Sequence, residues 1–160
     1  MRMTTRIAAL AVLAIAAGAQ EQPSVTIEGV SGRSIVVYTA YLSSLRQYAL
    51  KTIEKGTPVT FEGVLLSDVL EKVDGPVGEK YHGTAASYYL VAEGKDGYRA
   101  VFAWAEVDTS FMEKSVYLII SRDGKPLPEK DGPIELVAPG EKRAARSVRQ
   151  LTALRIRQAK

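Results

Sequence analysis

Short runs of alternating apolar and polar residues recur along most of the chain, and turn residues separate them. In residues 24–30, Val25 and Ile27 fall on one side of an extended chain and Thr26 and Glu28 on the other. Alternation of this kind is typical of a strand with one buried face. Similar β-branched or aromatic runs predict seven more strands, over residues 34–38, 58–62, 87–92, 98–104, 116–122, 134–138 and 151–157.

Two segments favour a helix. Thr39 is a candidate cap for a helix over residues 40–48, and Ser67 for one over residues 68–73. The second segment has an apolar stripe at helical spacing, formed by Leu66, Val69, Leu70 and Val73. Many strands with a few short helices predict an α+β fold with a mixed or antiparallel sheet. The Gly- and Pro-rich segment 123–133 is interpreted as a loop within one domain.

The N-terminal residues follow a different pattern. Two arginines, Arg2 and Arg6, precede an apolar run over residues 7–17, which is too short to span about 30 Å of hydrocarbon as a helix. Ala17-Gly18-Ala19 then supplies the small residues that signal peptidase recognises. We therefore predict a signal peptide over residues 1–19, a single domain over residues 20–160, and a periplasmic or secreted location. A short N-terminal membrane anchor is the alternative.

Composition narrows the possible chemistry. The 160 residues are 46% hydrophobic and 24% charged, with no cysteine and one histidine, His82. This excludes disulfides, thiolate nucleophiles, cysteine-held metals and histidine-rich metal sites. The chain also lacks a Gly-x-Ser-x-Gly elbow, a P-loop and a Gly-x-Gly-x-x-Gly run. We predict no metal site and no catalytic residue.

Positive charge concentrates near the C-terminus, where residues 141–160 carry seven Lys or Arg residues and one acid. Such a segment is typical of a solvated strand face or of an anion-binding site, and both interpretations stay open. It contains no aromatic residues on which bases could stack, and an exported protein rarely meets nucleic acid, so we predict no nucleic-acid partner.

Several short motifs follow one another along the chain in an order that is known from a protein family. They are Gly63-Val64-Leu65-Leu66-Ser67-Asp68-Val69-Leu70, Asp96-Gly97-Tyr98, Ala103-Trp104-Ala105-Glu106, Asp123-Gly124-Lys125-Pro126-Leu127, Gly132-Pro133-Ile134-Glu135-Leu136-Val137-Ala138-Pro139 and the basic segment 142–151. In this order and at this spacing they resemble the molybdopterin-binding domain of the sulfite oxidase family. The resemblance covers roughly residues 59–157, and residues 24–58 match more loosely. It is strongest to short, exported members.

The resemblance implies a sulfite-oxidase-type α+β fold with a pterin cofactor, whose molybdenum is held by one cysteine thiolate. In this chain the corresponding stretch, residues 52–58, reads Thr-Ile-Glu-Lys-Gly-Thr-Pro and contains no sulfur. Molybdenum prefers a soft thiolate as its protein ligand. We therefore do not extend sulfite oxidation to this chain.

The resemblance also assigns candidate cofactor-binding residues. They are Asp96, Tyr98, Arg99, Trp104, Glu106, Lys142, Arg143 and Arg146. Each has a structural alternative. The Asp96-Gly97 pair predicts a two-residue hairpin turn, Arg99 suits an exposed strand face, and Trp104 suits the core.

The charged candidates have alternatives as well. Glu106 and Asp108 carry acceptors for the amino-pyrimidine edge of a pterin, or they cap a turn over residues 108–110. Lys142, Arg143 and Arg146 are cations of the kind that bind a cofactor's terminal phosphate, or they are solvated.

The sequence thus supports a protein that binds a metal-free pterin, a molybdopterin-like ligand or another small heterocycle, with a periplasmic or membrane-bound signalling or redox partner. One alternative is an oxidoreductase subunit that holds molybdopterin without a thiolate. Another is an interaction domain without a small ligand. A cleft between residues 98–106 and 142–146 favours ligand binding, whereas a filled cleft favours an interaction domain.

Overall fold

The computed structural model describes residues 22–72, 84–141 and 144–160. The predicted signal peptide and His82 therefore lie outside the described residues. In chain order the strands are β1 (Ser24–Glu28), β2 (Ser34–Tyr38), β3 (Tyr48–Glu54), β4 (Thr57–Leu65), β5 (Tyr88–Gly94), β6 (Arg99–Ala103), β7 (Tyr117–Arg122), β8 (Lys125–Pro126), β9 (Glu135–Val137) and β10 (Leu151–Gln158). The helices are α1 (Thr39–Ser44), α2 (Leu66–Leu70) and α3 (Trp104–Val107), with 3₁₀ turns at Thr84–Ser87 and Ala144–Arg146.

The first sheet has the strand order β2-β1-β10-β5-β6. Strands β1 and β10 run parallel and the other neighbours run antiparallel. Its residues alternate between a buried face, which includes Val25 and Ile27, and an exposed face, which includes Thr26. The mixed sheet predicted from the alternating pattern is confirmed.

The second sheet is antiparallel, with the order β3-β4-β7-β8 and with β9 also paired to β7. A β-bulge interrupts the pairing of β4 with β7 between Glu62 and Gly63. A Cβ on Gly63 would lie 2.1 Å from the carbonyl oxygen of Leu118, so only glycine fits this position. This close approach explains the glycine that opens the Gly-Val-Leu-Leu motif.

The main hydrophobic core lies against the buried face of the first sheet. Helices α1 and α2 contribute Leu42 and Leu70 to it, and the second sheet contributes Leu118 and Leu136. Within the described segments, no helix combines the length and the apolar character needed to cross a membrane.

Both predicted helices begin earlier than expected. Thr39 and Leu66 are the first residues of α1 and α2, and no side chain caps either helix. The backbone supplies the caps, because the Thr39 N–H donates to the Pro23 carbonyl and the Leu66 N–H to the Val116 carbonyl, both at 2.9 Å. The first N–H groups are therefore satisfied by neighbouring chain segments, and the predicted Thr39 and Ser67 caps are wrong.

The predicted helix over residues 40–48 is also too long. Helix α1 ends at Ser44, and the Gln47 amide donates to the carbonyls of Leu42 and Leu45 at 2.8 and 2.9 Å. The chain then enters β3, which pairs with β4 from Tyr48 onward. Long-range strand pairing overrides the local helical pattern here.

The structure departs from the predicted elements at two further places, one a turn and the other the end of a strand. The Asp123-Gly124 pair, expected within a loop, forms a two-residue hairpin between β7 and β8, and both residues have positive φ values of 51° and 72°. This is the conformation of a type I′ turn. Strand β6 ends at Ala103, and the predicted last residue of that strand, Trp104, instead begins α3.

Candidate functional site

A cleft of about 760 Å³ opens beside the second sheet, within the size range of small-ligand pockets. Strands β3 and β4 form one wall, and β9 with the segment that follows it forms another. The tip of the β5–β6 hairpin contributes Asp96 and Tyr98. The charged residues of the lining are Lys51, Glu54, Asp96, Glu135, Glu141 and Arg149. The cleft thus contains more carboxylates than cations among the described residues.

Backbone bonds hold the hairpin tip in place. The Gly94 N–H donates to the Tyr98 carbonyl at 2.9 Å, and the Gly97 N–H donates to the Gly94 carbonyl at 3.0 Å. Gly97 has a φ of 82°, so the loop contains three residues rather than the predicted two. Asp96 Oδ1 accepts the Tyr98 N–H at 2.9 Å, so Asp96 stabilises the turn and also lines the cleft.

The Tyr98 hydroxyl connects this tip to the basic segment. It donates to the carbonyl of Ala145 in the 3₁₀ turn Ala144–Arg146. Ala144 and Ser147 also line the cleft. The hairpin tip and the basic segment, which lie far apart in sequence, therefore meet at the cleft as expected.

Arg146 is occupied by acidic and aromatic partners. Its Nε donates to Glu141 Oε1 at 2.7 Å, and its Nη1 lies 2.9 Å from both carboxylate oxygens of Glu106. The guanidinium carbon lies 4.7 Å from the centre of the Phe102 ring. Glu106 Oε2 also accepts the Ala103 N–H at 2.8 Å, at the start of α3. We call Arg146, Glu106, Glu141 and Phe102 the Arg146 cluster.

The remaining sequence candidates lie elsewhere. Trp104 has no exposed surface and belongs to the core, as its structural alternative predicted. The Arg99 side chain is exposed, and its Nε donates to Glu93 at 2.8 Å. Asp108 Oδ1 accepts hydrogen bonds from the N–H and the hydroxyl of Ser110 at 2.9 and 2.7 Å, which confirms the predicted turn cap.

Two candidates, Lys142 and Arg143, lie outside the described residues. Of the six candidates that the structure describes, Asp96 and Tyr98 lie in the lining of the cleft, and Arg146 and Glu106 lie in the cluster that adjoins it.

Sequence reasoning missed Glu135 as a site residue. The side chain lines the cleft but is only 8% exposed. Burial, and then the nearby charge of Asp131, raise the pKa of Glu135 to about 7. The feature of the sequence that could have pointed to Glu135 is the position of this acid inside the apolar run of residues 134–138.

Residues 52–58, which the resemblance places at the family's cysteine position, border the cleft. Thr52 and Glu54 lie in its lining, so a hydroxyl and a carboxylate stand near the position expected for the thiolate. In ranges 22–72, 84–141 and 144–160, no group of three or more acidic or histidine side chains is arranged to hold a metal ion. The carboxylates suit the N–H donors of a pterin, but the donor set does not suit molybdenum.

Comparison with known proteins agrees with this fold. A family model described as the oxidoreductase molybdopterin binding domain matches residues 14–160. Among solved structures, the fold resembles the crystal structure of the sulfane dehydrogenase SoxCD from Paracoccus pantotrophus, with a TM-score of 0.64 and 18% sequence identity. The match covers 84% of this chain but only 38% of that chain. No curated protein matches the sequence.

Proposed function

Because the chain belongs to the oxidoreductase molybdopterin-binding domain family, we propose that it binds a pterin or a similar small heterocycle in the cleft, without redox catalysis of its own. The cleft has the volume of a small-ligand site, and no large apolar side chain from residues 22–72, 84–141 or 144–160 fills it. An interaction domain without a ligand would have no need of such an opening.

One observation supports this proposal above the others. The cleft is lined by Thr52 and Glu54, from the stretch that, by the family resemblance, would supply the metal-binding sulfur. Hydroxyl and carboxylate groups accept hydrogen bonds from a heterocycle, whereas a thiolate is the favoured molybdenum ligand. The proposed ligand is therefore the metal-free pterin or a related heterocycle.

Calorimetric titration of the purified protein with 2-amino-4-oxopteridine tests the proposal. We expect one binding site per chain. Thr52→Trp, which fills the cleft from β3, should abolish binding. The matched control Thr26→Trp adds the same side chain on the exposed face of the first sheet and should leave the affinity unchanged. Absence of binding to the wild-type protein would contradict the proposal.

Metal analysis of protein isolated from its native host tests the catalytic part of the proposal. We expect neither molybdenum nor tungsten at stoichiometric amounts. Either metal at one atom per chain would favour the alternative, a subunit that holds molybdopterin without a thiolate ligand.

We further propose that the protein is exported and serves a membrane-bound signalling or redox partner. The charged n-region, the apolar run of residues 7–17 and the small residues before Gln20 support export. The intact mass of the mature protein should correspond to a chain that starts at Gln20. A mass that includes residues 1–19 would contradict cleavage after Ala19.

A further inference from the structure

Glu135 is a buried acid that faces an open space. Only 8% of the residue remains exposed, and it lines both the cleft and an adjoining depression of about 670 Å³. Within the described part of the chain, no hydrogen bond or ion pair reaches its carboxyl group. Buried polar groups are normally paired, so this carboxyl lacks a partner that a ligand in the cleft would provide.

The cations around Glu135 are committed to other acids. Arg149 Nε lies 3.1 Å from Asp131 Oδ1, and Arg122 Nη2 lies 2.8 Å from Glu54 Oε2. These four residues are the charged groups that act on Glu135, from β3, from β7 and from the segments beside β9 and β10. Each arginine charge is balanced by its own acid, so none of the cations in the described segments is paired with Glu135.

The other acids proposed for a pterin edge are already engaged. Glu106 accepts from Arg146 and from the Ala103 N–H, and Asp108 accepts from Ser110. Of the carboxylates in the described cleft lining, Glu141 is bonded to Arg146 and Asp96 to the Tyr98 N–H. Glu54 is paired with Arg122. Among the described carboxyls of the cleft lining, Glu135 is therefore the one without a hydrogen-bond or ion-pair partner.

We infer that Glu135 is the recognition group of the cleft and that it selects ligands with two adjacent N–H donors, such as an amino-pyrimidinone or an amidinium. A carboxylate accepts such a pair through both oxygens at once, which gives a strong and directional contact. This inference rests on the proposed small-ligand site and specifies which chemistry that site selects.

The protonation of Glu135 agrees with this role. Burial raises its pKa to about 7, so the empty site holds the proton in part of the molecules at neutral pH. A ligand that donates two N–H groups binds the ionised form and displaces that proton. Its affinity should therefore rise with pH until the carboxyl is fully ionised, which is the direction that linkage requires.

Calorimetry with three probes tests the inference. 2-Amino-4-oxopteridine and benzamidine each present paired donors, whereas 2,4-dioxopteridine replaces the amino group with an oxygen. We expect the amino compound to bind at least about tenfold more tightly than the dioxo compound, because the latter places an acceptor oxygen where the carboxyl needs the second of two adjacent donors. Between about pH 7.5 and about pH 5, the affinity for benzamidine should fall by roughly two orders of magnitude.

Glu135→Gln keeps the size of the side chain and removes its charge. This variant should lose the pH dependence and at least about tenfold in affinity for benzamidine. Glu28→Gln, a matched change outside the cleft, should leave both unchanged. Circular dichroism of each variant establishes that it is folded before titration.

The outcomes separate this inference from the proposed function. Pterin binding with the same affinity and pH profile in the Glu135→Gln variant would overturn the inference and leave the proposed function standing. Benzamidine binding that depends on Glu135, without pterin binding, would support the inference and contradict the pterin ligand. Binding of none of the three probes would overturn both.

Discussion

The Arg146 cluster and the Glu135 site lie beside the same cleft, but their charged groups differ in how they are paired. Arg146 is held by two carboxylates and by the face of an aromatic ring. Glu135 is more deeply buried, and no cation is bonded to it within the described residues. A fully partnered cluster of this kind stabilises the fold, whereas an unpartnered buried charge opposes folding and is retained where it binds something.

This difference shows which feature identifies a site. The basic segment stands out in the sequence because it concentrates positive charge, but its described central residue, Arg146, is neutralised internally. Glu135 is a single acid in an apolar run, and what distinguishes it is the lack of a partner. Charge density in the sequence therefore directs attention to Arg146, whereas the pairing of charges in the structure directs attention to Glu135.

The largest expected effect concerns the unpartnered carboxyl. The pKa of Glu135 is raised from 4.5 to about 7, so the folded protein binds more protons than the unfolded chain between these pH values. Stability from this group is present below about pH 4.5 and is lost as the pH rises through about 7. The loss should amount to about 2–3 kcal/mol in the free energy of unfolding.

Urea unfolding of the wild type and of Glu135→Gln at about pH 4 and about pH 8 measures this loss. From about pH 4 to about pH 8, the free energy of unfolding of the wild type should fall by about 2–3 kcal/mol more than that of the variant, because the side chain of the variant does not ionise. Taking the difference removes the contributions of the other acids. Equal pH dependence of the two proteins would show that Glu135 is partnered after all.

Much of the fold follows from the alternating pattern. Strand β2 occupies the predicted residues 34–38, and β1, β7 and β10 differ from prediction by a few residues at their ends. Strand β3 was missed because Tyr48–Glu54 forms the exposed edge of its sheet, where the buried-face alternation is weak. Its identity depends on pairing with β4, which no local pattern records.

The site was less predictable than the fold. The hairpin tip at Asp96 and Tyr98 was found because Asp-Gly pairs mark turns and the family motif includes them. Glu135 was not found because its burial results from β9, which pairs with β7 and bridges from Leu136 to Val148. Among the described residues it has no partner because Arg149 and Arg122 pair with other acids. Those pairings follow from the three-dimensional arrangement and cannot be read from the sequence.

The second expected effect tests the partnered cluster. Arg146→Ala removes contacts to Glu106, Glu141 and Phe102 at once, and it should lower the free energy of unfolding by about 1–2 kcal/mol. The estimate is modest because about a third of the Arg146 side chain is exposed to solvent, which screens its charge. Urea unfolding at neutral pH measures the change.

A double-mutant cycle with Glu106→Gln sharpens this test. The coupling energy between the two substitutions should be positive and should shrink at high salt, because it contains the ionic part of the contact. A coupling of zero at low salt would mean that the contact with Glu106 contributes nothing and that Arg146 stabilises the protein through Glu141 and Phe102.

A smaller effect is expected at the bond that joins the hairpin tip to the Arg146 cluster. Tyr98→Phe removes the hydroxyl that donates to the Ala145 carbonyl. The loss should be about 0.5–1 kcal/mol, the usual net contribution of one hydrogen bond. Tyr38→Phe, at a similarly exposed tyrosine on β2, is the matched control. Equal stabilities of the two variants would show that the tip and the basic segment do not depend on this bond.

The smallest effect is expected at an ion pair of the first sheet whose arginine has neither the second acid nor the aromatic ring found at Arg146. Arg157 Nη2 lies 3.0 Å from Glu28 Oε1, and both side chains are about one-third exposed. Arg157→Gln should therefore change the free energy of unfolding by less than about 0.5 kcal/mol, and high salt should remove the difference. A loss as large as that of Arg146→Ala would mean that pairing alone stabilises charge in this protein. The second acid and the aromatic ring beside Arg146 would then add nothing to the stability that a single ion pair provides.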